Sequence, residues 1–560
     1  MPLGRRRHAL LVSLSPVSET FHESLERSPE ADIVNHREGP STARLWEVSV
    51  RVSIIAIIAI AAALTACGTK PDSGAMGTGS ESPTMTGDGS PARRAARRLP
   101  LRVCQAEWAD EEILCGSYEV SENRALGAGR RIALNIVVIP ALAERPEPDP
   151  IFDMDGGPGM PSTAAAQWYA AEAPFRRTRD IVLVDLRGMG GSNPLHCDLV
   201  GDPGILQNHL EEMYPPHRVA ACRKELEKRA DLTQYTTSTA MEDIEEVRAW
   251  LGYERINIMA LSYGGRAAYV YARAYPERVR AMILQAPADL DSKMPLYHAS
   301  WAEKAFVQLC ADCRSDPACN AAFPELQTKL RTLVDRLRTR PATVTYSHPK
   351  LNAPATVTIR ADIFVESLRS ALYDERSRRQ LPWIVHHASE GDFGPFLDRA
   401  IPRELGSPPL LAEGAYLSIT GTEDAPFIGN EEATALTEGT LLGDYRVVQQ
   451  RRAANLWPRG SLPAGFFNKV VLDTPTLIVQ GGRDPVVAGG RVIRSYRNAR
   501  EVIVPHGAHI IDGLSNMECL SRLMNSFFET ADPHGLDTGC VNEMGPQPFK
   551  VTPETASSTS

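Results

Sequence analysis

The stretch Ile256-Asn-Ile-Met-Ala-Leu-Ser-Tyr-Gly-Gly265 sets Ser262 between a short apolar run and a helix-like run, residues 266–275. A serine on such a strand–turn–helix sits in a strained turn that projects its hydroxyl, so the residues two before and two after it must be small. They are Ala260 and Gly264. Glycine is usual at both, and the small alanine is a tolerable departure. Alone, the pattern is also that of a glycine-rich turn in any α/β sheet. A serine hydroxyl is a poor nucleophile at neutral pH and needs a base, which needs an orienting acid. Downstream, the apolar run 476–480 ends in Gly481-Gly-Arg-Asp484-Pro485, and the run 501–504 ends in Pro505-His506-Gly-Ala-His509. Asp484 is assigned as the acid and His509 as the base. The competing readings are an Asp-Pro turn for Asp484 and His506 as the base. Acyl transfer also needs donors for the developing oxyanion. The N–H groups of Tyr263, at a helix start, and of Gly157, in Gly156-Gly157-Pro158-Gly159, are assigned to it.

These residues must be brought to one rim by the elements around them. Strand-like segments are expected at 131–139, 150–154, 180–185, 256–261, 280–285, 475–480 and 501–504, with helix-like segments at 164–173, 241–251 and 517–528. Their alternation predicts an α/β fold, a mostly parallel sheet with helices on both faces. Residues 290–465 interrupt it with helix-like segments such as 301–309, 325–338 and 361–373, the pattern of an inserted, mainly helical cap. The core is therefore expected over 100–289 and 466–545, with a tail at 546–560.

The chain has 560 residues, 43% hydrophobic and 23% charged, which is the composition of a globular protein. Its net charge of −9 is spread along the chain and argues against a nucleic-acid partner. No paired CxxC and no His-Glu-x-x-His occur, so no metal is expected. The apolar run 52–66 follows Arg51, has signal-peptide length and ends in Leu64-Thr-Ala-Cys67-Gly68. This resembles a bacterial lipobox with Cys67 as the lipidated residue. A plain signal peptide or a short membrane anchor is the alternative. Residues 1–49 are polar and aperiodic, and the expectation is an extension preceding a true start near Val50-Arg51. Residues 68–99, rich in Gly, Ser, Thr and Pro, read as a flexible tether whose closing arginines are solvated. Export favours disulfides. Local spacing suggests Cys104–Cys115, Cys197–Cys222, Cys313–Cys319 and Cys519–Cys540, leaving Cys310 free, with Cys310–Cys319 as the competing pair.

Gly-Gly-Pro-Gly at 156–159, Asp185-Leu-Arg187-Gly-Met-Gly190-Gly-Ser192, Ser262-Tyr-Gly-Gly265, Gly482-Arg-Asp484 and Gly507-Ala-His509 together resemble the proline iminopeptidase and tripeptidyl aminopeptidase branch of the α/β hydrolases. Cys313 to Cys319 followed by Phe323-Pro324 is similar to the cap of the tripeptidyl type, and Cys519 with Cys540 to its C-terminal region. The resemblance spans roughly residues 100–545. It implies a secreted serine exopeptidase acting on free peptide N-termini; with the Cys67 motif, the expectation is a protein anchored by lipid to the cell envelope, with no cofactor. Asp155 and Leu186 depart from the family pattern, where His and Gln are common. Arg187 is expected to brace its loop. The substrate ammonium should meet a cap carboxylate, from Glu413, Glu423, Asp424, Glu431 and Glu432. A carboxylesterase or lactone hydrolase, and a non-enzymatic binding lipoprotein, are the alternatives.

Overall fold

The computed structural model describes residues 90–106, 111–171, 174–406, 409–487 and 489–552. The N-terminal extension, the apolar run 52–66 and Cys67 lie outside them. The strands are β1 (Arg102–Cys104), β2 (Ile113–Ser121), β3 (Arg131–Ile139), β4 (Ile151–Met154), β5 (Ile181–Val184), β6 (Ile256–Leu261), β7 (Val279–Gln285), β8 (Ala342–Ser347), β9 (Pro354–Ile359), β10 (Thr476–Gly481) and β11 (Ala499–Val504). Nine of them form one sheet in the order β1-β2-β3-β5-β4-β6-β7-β10-β11. β1, β2, β3 and β5 are joined antiparallel. From β5 to β11 every neighbouring pair is parallel.

The expected tether does not run to residue 99. Pro91–Ala96 form a short helix, α1, with Ala92 and Ala95 buried. The local cause is Ser90-Pro91: the serine side chain caps by accepting from the Arg93 N–H, and proline suits the first helical position. Nor are the arginines all merely solvated. Arg93 pairs with Glu112 at 2.8 Å, and Arg98 pairs with the buried Asp180 at 2.6 Å.

The inner parallel strands β6 and β10 are buried along nearly their whole length because both faces are covered, while the edge strand β11 is largely half-buried. Ile256, Ile258 and Ala260 of β6 and Ile478 of β10 enter one core, beneath α2 (Thr237–Trp250) and α3 (Tyr263–Ala274). The intervening Met259, Leu477 and Val479 enter the opposite core. Between β7 and β10 stands the insertion, which includes α4 (His298–Ser315), α5 (Leu326–Thr339), α6 (Ala361–Ala371), α7 (Glu413–Glu423) and α8 (Tyr445–Leu456). It has its own apolar core around Phe306, Leu333, Val334, Phe364 and Leu368. It also holds an antiparallel hairpin, β8–β9, that the helical pattern did not announce. The β-branched residues of Ala342-Thr-Val-Thr-Tyr-Ser and Pro354-Ala-Thr-Val-Thr-Ile suit it. The last helix, α9 (Met517–Thr530), covers the second face of the sheet.

Disulfides join Cys104–Cys115, Cys197–Cys222, Cys313–Cys319 and Cys519–Cys540, and Cys310 is a buried free thiol. Such bridges belong to an oxidising compartment, which points outside the cytoplasm. No helix among the described residues is long and apolar enough to cross a membrane.

Candidate active site

Ser262 lies between β6 and α3 with φ 55° and ψ −118°, a strained conformation for a residue with a side chain. The surrounding glycines make the turn possible. A Cβ on Gly264 would stand 1.9 Å from the Met154 carbonyl oxygen, and one on Gly156 would meet the Ser262 Cβ at 3.2 Å. The Ser262 N–H donates to the Gln285 carbonyl at 2.9 Å, and its own carbonyl accepts from the Ala288 N–H at 2.8 Å. The turn is therefore tied to the end of β7 and to the segment just past it.

The structure brings His509 and Asp484 to this serine. His509 Nε2 is 2.9 Å from Ser262 Oγ, and Nδ1 is 2.8 Å from Asp484 Oδ2. Asp484 and His509 side chains are 1% and 4% exposed. Asp484 Oδ1 accepts the N–H groups of Val486 and Val487 at 2.7 and 3.0 Å, and Oδ2 also accepts from Gln480 Nε2 at 2.8 Å. These donors fix an acceptor carboxylate. It calls for the imidazole proton on Nδ1 and leaves the Nε2 lone pair facing the serine hydroxyl. Close backbone approach sets the loops: a Cβ on Gly481 would lie 2.0 Å from the Ala508 carbonyl oxygen. His506 is not part of this hydrogen-bonded set. Its Nδ1 has no partner, and burial with the charge of Arg483 lowers its pKa.

Two contacts were not foreseen. Gln480 holds the acid from within β10. The Tyr373 ring, from the cap, stands 5.2 Å from that of His509, nearly edge-on at 77°. Just beyond, the Ile510 N–H donates to the Tyr373 carbonyl at 2.7 Å.

The glycine loop 156–159 follows β4 and abuts Ser262. Gly157 has φ 105°, open to glycine alone at little cost. Asp155 Oδ1 accepts the Gly156 N–H at 2.5 Å. Burial raises its pKa, and that of Asp153 behind it, where the Asp155 charge adds to the burial. Arg187 is spent on structure: it pairs with Asp243 through Nε and Nη2 at 2.6 and 2.7 Å and donates to the Glu122 carbonyl.

The cap acids differ in what they still offer. Asp424 accepts both Nη groups of Arg266, at 3.0 and 2.8 Å. Glu423 accepts from the N–H and the hydroxyl of Thr237, each at 2.7 Å. Glu432 pairs with Lys293 at 2.8 Å, and Glu431 is exposed. Glu413 Oε2 is buried without a partner, and burial pushes this carboxyl up to about 7. It opens α7 beside the glycine loop, where the Ala412 N–H donates to the Gly159 carbonyl at 3.0 Å. No group of three or more His, Cys, Asp or Glu among the described residues is arranged to hold a metal ion.

Residues 155–311 match the model of the alpha/beta hydrolase fold. Serine protease Hip1 of Mycobacterium tuberculosis (strain ATCC 25618 / H37Rv) is 27% identical over 260 residues, 43% of this chain and 48% of that protein. The chain thus spans about half the length of that relative. Tripeptidyl aminopeptidase of Streptomyces coelicolor is 24% identical over 497 residues, 82% of this chain and 88% of that protein. Proline iminopeptidase of Neisseria gonorrhoeae is 25% identical over 140 residues, 25% of this chain and 33% of that protein. The sheet order, the serine elbow after β6 and the match of residues 155–311 agree on an α/β-hydrolase fold, and the chain is similar to tripeptidyl aminopeptidases and to proline iminopeptidase.

Proposed function

We propose that this hydrolase is a serine aminopeptidase that releases amino acids or short peptides from free N-termini. The observation that carries the reading is the hydrogen-bonded chain Asp484–His509–Ser262 at the carboxyl ends of β10, β11 and β6. His509 takes the Ser262 proton as Oγ attacks the scissile carbonyl carbon. The N–H groups of Gly157 and Tyr263 stabilise the oxyanion, each such donor worth roughly 10²–10³ in rate. The imidazolium then protonates the leaving amine, and an acyl-enzyme remains. Water, deprotonated by His509, attacks this ester and restores Ser262.

Register from a free N-terminus needs a carboxylate for the substrate ammonium. Glu413 supports this role, because its Oε2 is buried without a partner beside the glycine loop. Acetylating the substrate amine removes the charge and leaves that acid unpaired, a loss of roughly 1–3 kcal/mol. One short peptide with free and acetylated N-termini, digested and read by mass spectrometry, tests the reading. The free form should be cleaved at least about tenfold faster. Comparable rates, or hydrolysis of simple p-nitrophenyl esters alone, would reject it in favour of the esterase.

The same reading takes the protein as exported and lipid-anchored at Cys67 to the outer face of a bacterial membrane. The Leu64-Thr-Ala-Cys67 motif and the four disulfides support it. Cys67→Ser should move the protein from the membrane fraction to the soluble one. Retention, with no lipid found by mass spectrometry on the wild-type chain, would favour a plain anchor.

A further inference from the structure

Beside His509, the cap gathers more positive than negative charge. On α6, Arg369 is 3% exposed and donates to Glu366 through Nε and Nη2, at 3.0 and 2.7 Å. From α8, Arg446 Nη1 reaches the same carboxylate at 2.6 Å. Two guanidiniums thus share one carboxylate, and the buried Nε of Arg446 has no hydrogen-bond partner. His298, at the start of α4, is 5% exposed, and neither of its ring nitrogens has a partner. Burial, then the charges of Arg446 and Arg369, and last that of His509, hold this imidazole neutral. Arg369 also leads to the triad: its Nη1 donates to the Tyr373 hydroxyl at 3.1 Å, and the Tyr373 ring is 5.2 Å from His509.

A buried guanidinium in excess over carboxylate, with an idle N–H and a neutral imidazole nearby, lacks an anion. The planar fork of arginine matches a carboxylate better than any neutral group. We propose that Arg369, Arg446 and His298 form a subsite for a substrate carboxylate close to the scissile bond, from an acidic side chain or from the free C-terminus of a short peptide. Placing that carboxylate beside the scissile bond rests on the peptidase reading. Binding of the carboxylate itself does not.

Arg446 is the residue to change, because Arg446→Met leaves Glu366 paired with Arg369. Three sets of short peptides separate the two sources: neutral with an amidated C-terminus, the same with a free C-terminus, and the same with one Asp or Glu near the scissile bond. Whichever source fits should raise kcat/KM about tenfold over the neutral amide, chiefly through KM. Arg446→Met should bring that ratio to within about twofold, and Arg446→Lys should restore part of it. Equal rates on all three sets, or a ratio that survives Arg446→Met, would overturn the subsite. Calorimetry with succinate on the intact wild-type enzyme reads the site without turnover. Binding that Arg446→Met abolishes supports the subsite even if no peptide is cleaved, in which case the peptidase reading alone falls. Peptide cleavage without acid preference and without succinate binding removes the subsite and leaves the peptidase.

Discussion

A hydroxyl held at φ 55° on a tight turn is costly to build, and its surroundings are specific to it. Ser262→Ala removes one oxygen and should lower turnover at least about a thousandfold, with the melting temperature nearly unchanged. His509→Ala should do comparable damage and His506→Ala very little, because only His509 faces both Ser262 and Asp484. Peptide turnover and fluorophosphonate labelling of the variants would read this. The reverse ranking of the histidines would reject the assignment. Ser262, Asp484 and His509 were legible because each follows an apolar run and stands among small residues, a local pattern. Gln480 was not, because it closes such a run and its bond to Asp484 arises only when the chain turns at Gly481 and Gly482. Tyr373 was beyond reach altogether: it comes from an insertion far along the chain, and periodicity says nothing of which distant ring meets His509.

Helix α3 does more than carry the serine at its start. Arg266, fully buried on it, holds the Asp424 carboxylate just past the end of α7, and Asp424 in turn accepts the Met294 N–H at 3.0 Å. Core and insertion are joined here by a desolvated ion pair. Arg266→Met should destabilise the protein by about 3–5 kcal/mol, since it strands a buried carboxylate. The double variant with Asp424→Leu should recover only part of that loss, because it removes the stranded Asp424 charge but leaves the buried Glu423, 3.6 Å from Arg266, with its Thr237 donors alone. Urea unfolding of the single and double variants measures it, and additive losses would refute the coupling. Strands β3, β4, β5, β6, β7, β10 and β11 and helices α2 and α9 were readable from their apolar runs and periods, whereas the nine-residue β2 was not, because Gly116, Ser117 and Glu119 interrupt its apolar pattern. Helix α1 was hidden by a composition that reads as linker, and β1 and the hairpin β8–β9 by their shortness and polar alternation.

The molecule as a whole carries buried acid whose ionisation opposes folding. Burial pushes Glu413 up to about 7, from an ordinary value of 4.5. The folded protein therefore holds this proton more tightly than the unfolded chain. The stability it contributes is full below pH 4.5 and lost as pH rises to about 7, on the order of 1–3 kcal/mol. Between pH 5 and 8, Glu413→Gln should lose less stability than the wild type in urea unfolding; equal losses would show that Glu413 is not the group responsible. The two-part plan, sheet and insertion, was readable at this scale because the alternation of elements breaks off near residue 290 and resumes near 475. Which backbone groups join the parts was not. One of them is the bond from the Ile510 N–H to the Tyr373 carbonyl, one residue past His509. It makes the insertion an interlock and not a simple door. Moving the cap at this point would break that bond and draw the Tyr373 ring off the imidazole, so the two parts cannot separate here without changing the surroundings of His509.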